Sequence, residues 1–371
     1  LGDGCLYALD SATGKLKWKY KTQDYIYSSP AISGRTTYFG SWDGNICAVD
    51  ITNGELKWRY KTGYYVYSSP IVSGDRLYVG SSDGFLYAIA IQPEPEPTPK
   101  PSPTPTAMPK PFPPPGHLLW KHETGDRVDS SPVILGSIVY VGSDDGNIYA
   151  LDTASGKLTG RCETWGKVSS SPAVGEDMVY IGSQDGGLYA MDAASLRPRW
   201  KFETKGWVSS SPEIWGNAVY FGSDDGYLYA LDASSGELRW KYRTGGPVYS
   251  SPAVSRGTLY VGSRDKCLYA IDALTGELRW RCQTGGWIDS SPAVSGKVLY
   301  VGSHDGCLYA LDVSGKLSWK YRTDGWVVSS PAISGNVVYF GSQDGNLYAL
   351  DASSGKLRWK YDTGAPVYSS P

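Results

Sequence analysis

An all-β fold of stacked four-stranded antiparallel sheets is predicted by three observations. The tripeptide Ser-Ser-Pro recurs with its proline at 30, 70, 132, 172, 212, 252, 292, 331 and 371, in forty-residue steps broken once by thirty-nine and once by sixty-two. Each interval carries four short runs of strand formers parted by turn signals, as in "SSPEIWG", "NAVYFGS", "YLYALD" and "ELRWKYRT". Composition agrees, since 45 Gly, 29 Tyr and 14 Trp against 3 Met describe a turn-rich chain of strand formers.

The elements follow in order. The first two runs meet at a short Gly-containing turn. The second turn, x-Asp-Gly, suits a hairpin with glycine at positive φ. The third, Asp-x-x-x-Gly, is a short loop whose aspartate caps backbone N–H groups. These roles account for Asp225, Gly226, Asp232 and Gly236 without a ligand. The third and fourth strands carry large apolar groups on both faces, so one sheet alone would expose a hydrophobic side. Stacking such sheets about 10 Å apart removes the exposure, and a closed ring of them also limits free edges. The expected architecture is a β-propeller with about forty residues per four-stranded antiparallel blade: eight complete units and a partial one.

The repeat Ala-x-Asp-x-x-x-Gly-(Lys/Glu)-x-x-Trp stands as "ALDSATGKLKW", "AVDITNGELKW", "ALDASSGELRW", "AIDALTGELRW" and "ALDASSGKLRW", ending at Trp18, Trp58, Trp240, Trp280 and Trp359. It resembles the PQQ-like (quinoprotein dehydrogenase-like) propeller repeat, BamB-like members included. The resemblance implies that these tryptophans, with Trp120, Trp200 and Trp319, dock between neighbouring blades. Three departures stand out: Gly160 in place of a docking Trp, Lys266 in place of a turn glycine, and Leu196 in place of a loop glycine.

Residues 93–115 hold half of the chain's 24 prolines, interrupting a repeat where other copies need only a four-residue loop. Such a segment cannot pair into a sheet. Two readings follow: residues 1–92 end one propeller and 116–371 form most of the next, or both belong to one ring with a proline-rich insertion. The chain opens in mid-repeat without an initiating Met, which reads as a piece of a longer protein.

Function is narrowed mainly by exclusion. With 35 basic and 37 acidic side chains there is no basic excess for nucleic acid, and no apolar run reaches the length of a membrane helix. His117, His122 and His304 show no metal spacing, and Asp144–Asp145 lacks the further oxygen ligands of a calcium loop. No metal site is therefore expected. The serines of Ser-Ser-Pro recur in every unit and read as architecture rather than as nucleophiles. Of six cysteines, counting outward from the loop at 273–276 sets Cys267 opposite Cys282, a possible cross-strand disulfide if their Cβ atoms come near 4 Å.

Variation among copies concentrates in the turns between strands B and C and in the links from strand D to the next strand A, which share one face. There Tyr25, Tyr65, Asp129, Trp207, Trp287, Asp289 and Trp326 form the expected partner- or ligand-binding set. The expected role is a non-catalytic scaffold or sensory module for a protein, peptide or small ligand, with no cofactor and no catalytic residues. The family resemblance adds BamB-like envelope assembly factors and the propellers of bacterial surface kinases as precedents, and so implies a bacterial or archaeal cell envelope or extracellular setting. The alternative it implies is a PQQ-dependent alcohol dehydrogenase with calcium, in which Asp129 or Asp289 would act as base. The adjacent Cys-Cys pair typical of those enzymes is missing.

Overall fold

A computed structural model describes residues 2–91 and 113–371. Every regular element among them is a β-strand, and eight four-stranded antiparallel sheets stand in a ring. The blades span residues 31–61, 71–123, 133–163, 173–203, 213–243, 253–283, 293–322 and 332–362 and are numbered 1 to 8 here. Strands A to D follow chain order within each blade. The A strands are innermost, being the ones that meet their counterparts in neighbouring blades. The D strands are outermost and show Lys and Arg to solvent, as in Leu238–Arg243, "LRWKYR".

Blade 2 takes strands A to C from before the proline segment and strand D, Leu118–Glu123, from after it, paired to Phe85–Ala90. The chain on both sides of that segment thus belongs to one ring. Most of the proline stretch, residues 92–112, lies outside the described residues.

A hairpin of β1 (Cys5–Leu9) and β2 (Leu16–Lys21) pairs with no other strand. It aligns with the C and D strands of a blade and fills the outer half of a sector between blades 8 and 1. The Trp359 indole donates to the Ser11 carbonyl at 3.0 Å on one side, and the Trp18 indole to the Ile51 carbonyl at 2.8 Å on the other.

The core lies between the sheets. Leu228, Ala230 and Trp240 of blade 5 pack on Leu259, Val261, Tyr269 and Ile271 of blade 6, and equivalent clusters fill the other gaps. Each docking Trp lies against the loop glycine of the next blade. A Cβ on Gly54 would come within 2.7 Å of Trp18, and one on Gly236 within 2.5 Å of Trp200. These glycines therefore serve close packing as well as positive φ. Gly160 and Leu196, read separately in the sequence, form a pair: Leu196 is buried in the space that a Trp at 160 would use, and a Cβ on Gly160 would approach the Leu196 Cβ to 2.8 Å.

The inner rim is tied by the Ser-Ser-Pro turns. The first serine bonds within its own blade: Ser130 Oγ donates to the Gly142 carbonyl at 3.0 Å and accepts from the Gly142 N–H at 2.8 Å. The second links blades, as when the Ser171 N–H donates to Ser211 Oγ at 3.2 Å. The repeated serines are thus consumed by architecture.

Lys266 and Leu196 adopt positive φ of 73° and 52°, and Arg256 adopts 51° in a turn whose siblings use glycine. The cysteine register differs from the expectation. Cys267 faces Gln283, and Cys282 faces Leu268. The count slips because Ala270 faces Trp280 while Ile271 faces Leu278, so Arg279 is an extra residue in the D strand. A one-residue slip puts the two side chains on opposite faces of the sheet, and both thiols are free.

Candidate functional site

The x-Asp-Gly turns and the D-to-A links are knitted together blade by blade. Asp145 accepts from its own turn at the Asn147 N–H (2.8 Å), from the Tyr149 hydroxyl (2.6 Å) and from the Gly125 N–H of the preceding link (2.6 Å). This aspartate is fully used by the scaffold. The residue before it is free to vary, and the variable positions of the two segments meet on one face.

That face sorts into three patches. In the first, Trp42 lies among Tyr25, Tyr27 and Tyr65, with centroids at 5.7, 4.8 and 4.9 Å, and Tyr27 in turn meets Tyr67 and Tyr368 at 5.6 and 5.3 Å. The Trp42 Nε1 is covered and has no hydrogen-bond partner.

The second patch holds Trp287, Asp289 and Trp326. Arg264 of blade 6 grips Asp289 through two bonds of 2.9 and 3.0 Å, while His304 Nε2 stands 3.1 Å from Oδ2, the oxygen that also accepts from Arg264 Nη2. The guanidinium also lies over the Tyr249 ring at 3.9 Å and the Trp287 ring at 5.0 Å. His304 stacks on Trp326 at 4.8 Å. Burial works to raise the Asp289 carboxyl, but His304 and Arg264 outweigh it and hold it below the usual carboxylate range. The neighbouring Asp224 accepts from the Tyr249 hydroxyl at 2.8 Å and is pushed up, chiefly by burial.

The third patch is Asp129. It accepts from Ser82 Oγ at 2.6 Å, and burial raises its carboxyl against that bond. Trp207 stands apart from all three, 53% exposed. Of the seven residues singled out in the sequence, the fold therefore brings together Tyr25 with Tyr65, and Trp287 with Asp289 and Trp326. Asp129 and Trp207 stay separate.

Sequence reading missed Trp165, the most exposed large apolar side chain described, at 86%. Its signal was present, because siblings at that position are Gly, Gln, Lys or Asp. It also left Arg264 and His304 out of the site, since nothing local links them to Asp289. Asp144 is engaged by Lys167 at 2.8 Å.

A concavity of about 510 Å³ lies on the opposite face between blades 4 and 5, lined by Glu176, Asp177, Arg199, Ile214 and Asn217. The variable face offers shallower hollows, such as one of about 260 Å³ beside His304 and Trp326. Its chemistry is that of a broad aromatic surface rather than of a small-molecule pocket. No group of three or more metal-ligating side chains occurs among the described residues.

The family model described as "Outer membrane protein assembly factor BamB" matches residues 2–93, 112–214, 206–287 and 284–370. Among solved structures, BamB from Moraxella catarrhalis superposes with a TM-score of 0.66 at 19% identity, over 89% of this chain and 95% of that one. The computationally designed Ika8 protein gives 0.68 at 18%, over 88% and 96%. A europium-containing methanol dehydrogenase gives 0.62 at 14%, over 99% and 82%. At such identities these likenesses establish the fold alone. No curated protein matches.

Proposed function

From the chain's membership of the BamB outer-membrane assembly factor family, to which it belongs along nearly its whole described length, we propose a non-catalytic scaffold that holds a protein or peptide partner on the variable face. The observation that carries this reading is the collection of exposed aromatics there. Tyr25, Tyr67, Trp165, Trp207, Trp287 and Trp326 come from different blades yet share one side of the ring. Exposed Trp and Tyr over a rigid support are the side chains that dominate protein-binding energetics. A bacterial cell envelope setting goes with this reading.

The test compares capture of envelope proteins by the native chain and by a variant with Trp207→Ala, Trp287→Ala and Trp326→Ala. Loss of capture with an unchanged circular dichroism spectrum supports the proposal. Unchanged capture would move the docking surface to the opposite face.

A quinone-dependent dehydrogenase is the second reading, favoured by the likeness to a methanol dehydrogenase. The inner acidic residues fit it poorly. Asp289 is held by Arg264 and His304, two cationic or proton-donating partners rather than the further oxygen ligands a calcium ion needs. Asp129 accepts from Ser82 and is raised chiefly by burial, with the charge of Asp144 adding, and no group of three metal-ligating side chains surrounds it among the described residues. Titration with PQQ and calcium, followed by quinone absorbance, checks this; saturable binding with alcohol oxidation would reverse the choice.

A further inference from the structure

The residue immediately before each Ser-Ser-Pro changes from copy to copy, and along the chain tyrosine is followed by aspartate at this position twice. Tyr67 and Asp129 stand on either side of blade 2, and Tyr249 and Asp289 on either side of blade 6. Between each pair lies the residue that opens the B–C turn, which is Ser82 in blade 2 and Arg264 in blade 6.

In blade 6 the pair makes a guanidinium cage that the chain fills itself. Arg264 lies over the Tyr249 ring at 3.9 Å and bonds to Asp289 from Nε at 2.9 Å and from Nη2 at 3.0 Å. A planar fork stacked on a ring and bonded along one edge suits arginine; a lysine ammonium has no such plane. Tyr249 is half-buried beneath it.

The same frame surrounds blade 2. The Ser82 N–H donates to the Tyr65 carbonyl at 2.8 Å, and the Arg264 N–H to the Pro247 carbonyl at 2.9 Å. One residue before each aspartate, the Val128 and Ile288 N–H groups donate to the Ser81 and Ser263 carbonyls at 3.1 and 3.2 Å. The side chains between the pairs differ. Ser82 reaches Asp129 only through its hydroxyl, at 2.6 Å, and the nearby Lys167 is taken by Asp144 at 2.8 Å. Tyr67 is 46% exposed, and its stacking partner Tyr27, at 5.6 Å, comes from the link on its other side. Burial acts on both aspartates, yet Asp289, with Arg264 and His304 beside it, is held low, while Asp129 is raised. Where blade 6 has Trp287, blade 2 has the exposed Arg127; Glu123 and Asp126 stand with it around an adjoining hollow of about 250 Å³.

We propose that Tyr67, Ser82 and Asp129 form an open receptor for an arginine side chain of the partner polypeptide, the counterpart of the cage that Arg264 closes in blade 6. This rests on the reading that the variable face holds a protein or peptide, and it gives that partner a chemistry. The guanidinium stacks on Tyr67 and bonds to Asp129, whose oxygens keep lone pairs beyond the one that Ser82 uses.

The probe is N-acetylarginine methylamide, titrated into the intact chain with isotope-labelled tyrosine rings, the Tyr67 resonance being assigned through Y67F. A saturable shift of Tyr67 is expected, with the lysine analogue at least about fivefold weaker. D129N should weaken binding at least about tenfold. S82R should abolish the Tyr67 response by closing the cage from within, and R264S should make Tyr249 respond to the probe. A cage that switches on cannot be the result of misfolding. No Tyr67 shift in the native chain, lysine binding as tight as arginine, or an unaltered response in D129N or S82R would each overturn the proposal. Tighter binding of free arginine than of the blocked form would do the same, as would binding that appears only in R127A, which would make Arg127 the occupant. The Trp207, Trp287 and Trp326 substitutions leave this cage intact. Capture unchanged by them with the probe still bound counts against the aromatic docking surface alone, whereas capture lost with no probe response in the native chain counts against the arginine receptor alone.

Discussion

Gly160 and Leu196 provide a sharp test of how neighbouring blades are matched. Leu196→Gly removes a buried side chain, worth about 2–5 kcal/mol for comparable truncations, and relieves a left-handed non-glycine residue worth about 1 kcal/mol. A net loss of about 2–3 kcal/mol follows. Gly160→Trp drives an indole toward the Leu196 Cβ and the Ser195 carbonyl, each 2.8 Å from the first atom added, and such overpacking costs about 1–3 kcal/mol. If the two effects were independent, the double variant would lose about 3–6 kcal/mol. The structure instead expects it to lie within about 1 kcal/mol of the native chain. The Trp would lie on the new glycine, as Trp200 does on Gly236, with its indole directed at the Ala193 carbonyl. Urea unfolding followed by tryptophan fluorescence, with hydrogen exchange in blades 3 and 4 as a local check, measures the coupling. Additive losses would refute the view that one packing rule governs every blade interface.

Lys266→Gly should stabilise the chain by up to about 1 kcal/mol, because φ at that turn is 73°; a lower urea midpoint would contradict this. On acidification, Asp272, held at about 2 chiefly by the Arg279 hydrogen bond, and Asp145, whose lowering by Tyr149 and backbone donors outweighs burial, contribute stability above the usual carboxylate range. That contribution should fade as the pH falls from about 4 toward 2, and an acid transition unchanged by D272N and D145N together would count against it. On the alkaline side Tyr140 and Tyr180 are raised to about 12 by burial first, with nearby aspartates adding. Their stabilisation is complete below about pH 10 and is lost as the pH rises toward 12. Tyrosinate absorbance from these two, seen by difference against Y140F/Y180F, should therefore lag behind that of free tyrosine. Thiol labelling of the native chain should modify Cys282 first, since the other five cysteines are buried, and reduction should leave the mass unchanged.

The repeat was legible because its rules are local. A glycine after Asp, a Trp eight residues after the loop Asp, and two apolar faces on strand C each follow from the geometry of one hairpin. What the sequence concealed depended on partners far apart in the chain. The slip at Arg279 moved Cys267 by one position, which alternation alone does not reveal. Leu196 reads as a flaw until the missing Trp at 160, on the adjacent blade, is placed beside it. The binding face was found by asking where copies differ, yet that criterion could not show that Arg264 and His304 converge on Asp289.

The bonds between second serines give the ring a scale. Each blade's inner end is fastened to the next by one N–H···O contact of 2.9 to 3.3 Å, all donated in the same rotational sense. The circumference of the central channel is therefore a count of serine links rather than an elastic quantity. Lengthening such a protein by one unit widens its bore by one fixed step, and the handed order of donors lets a newcomer join in only one orientation.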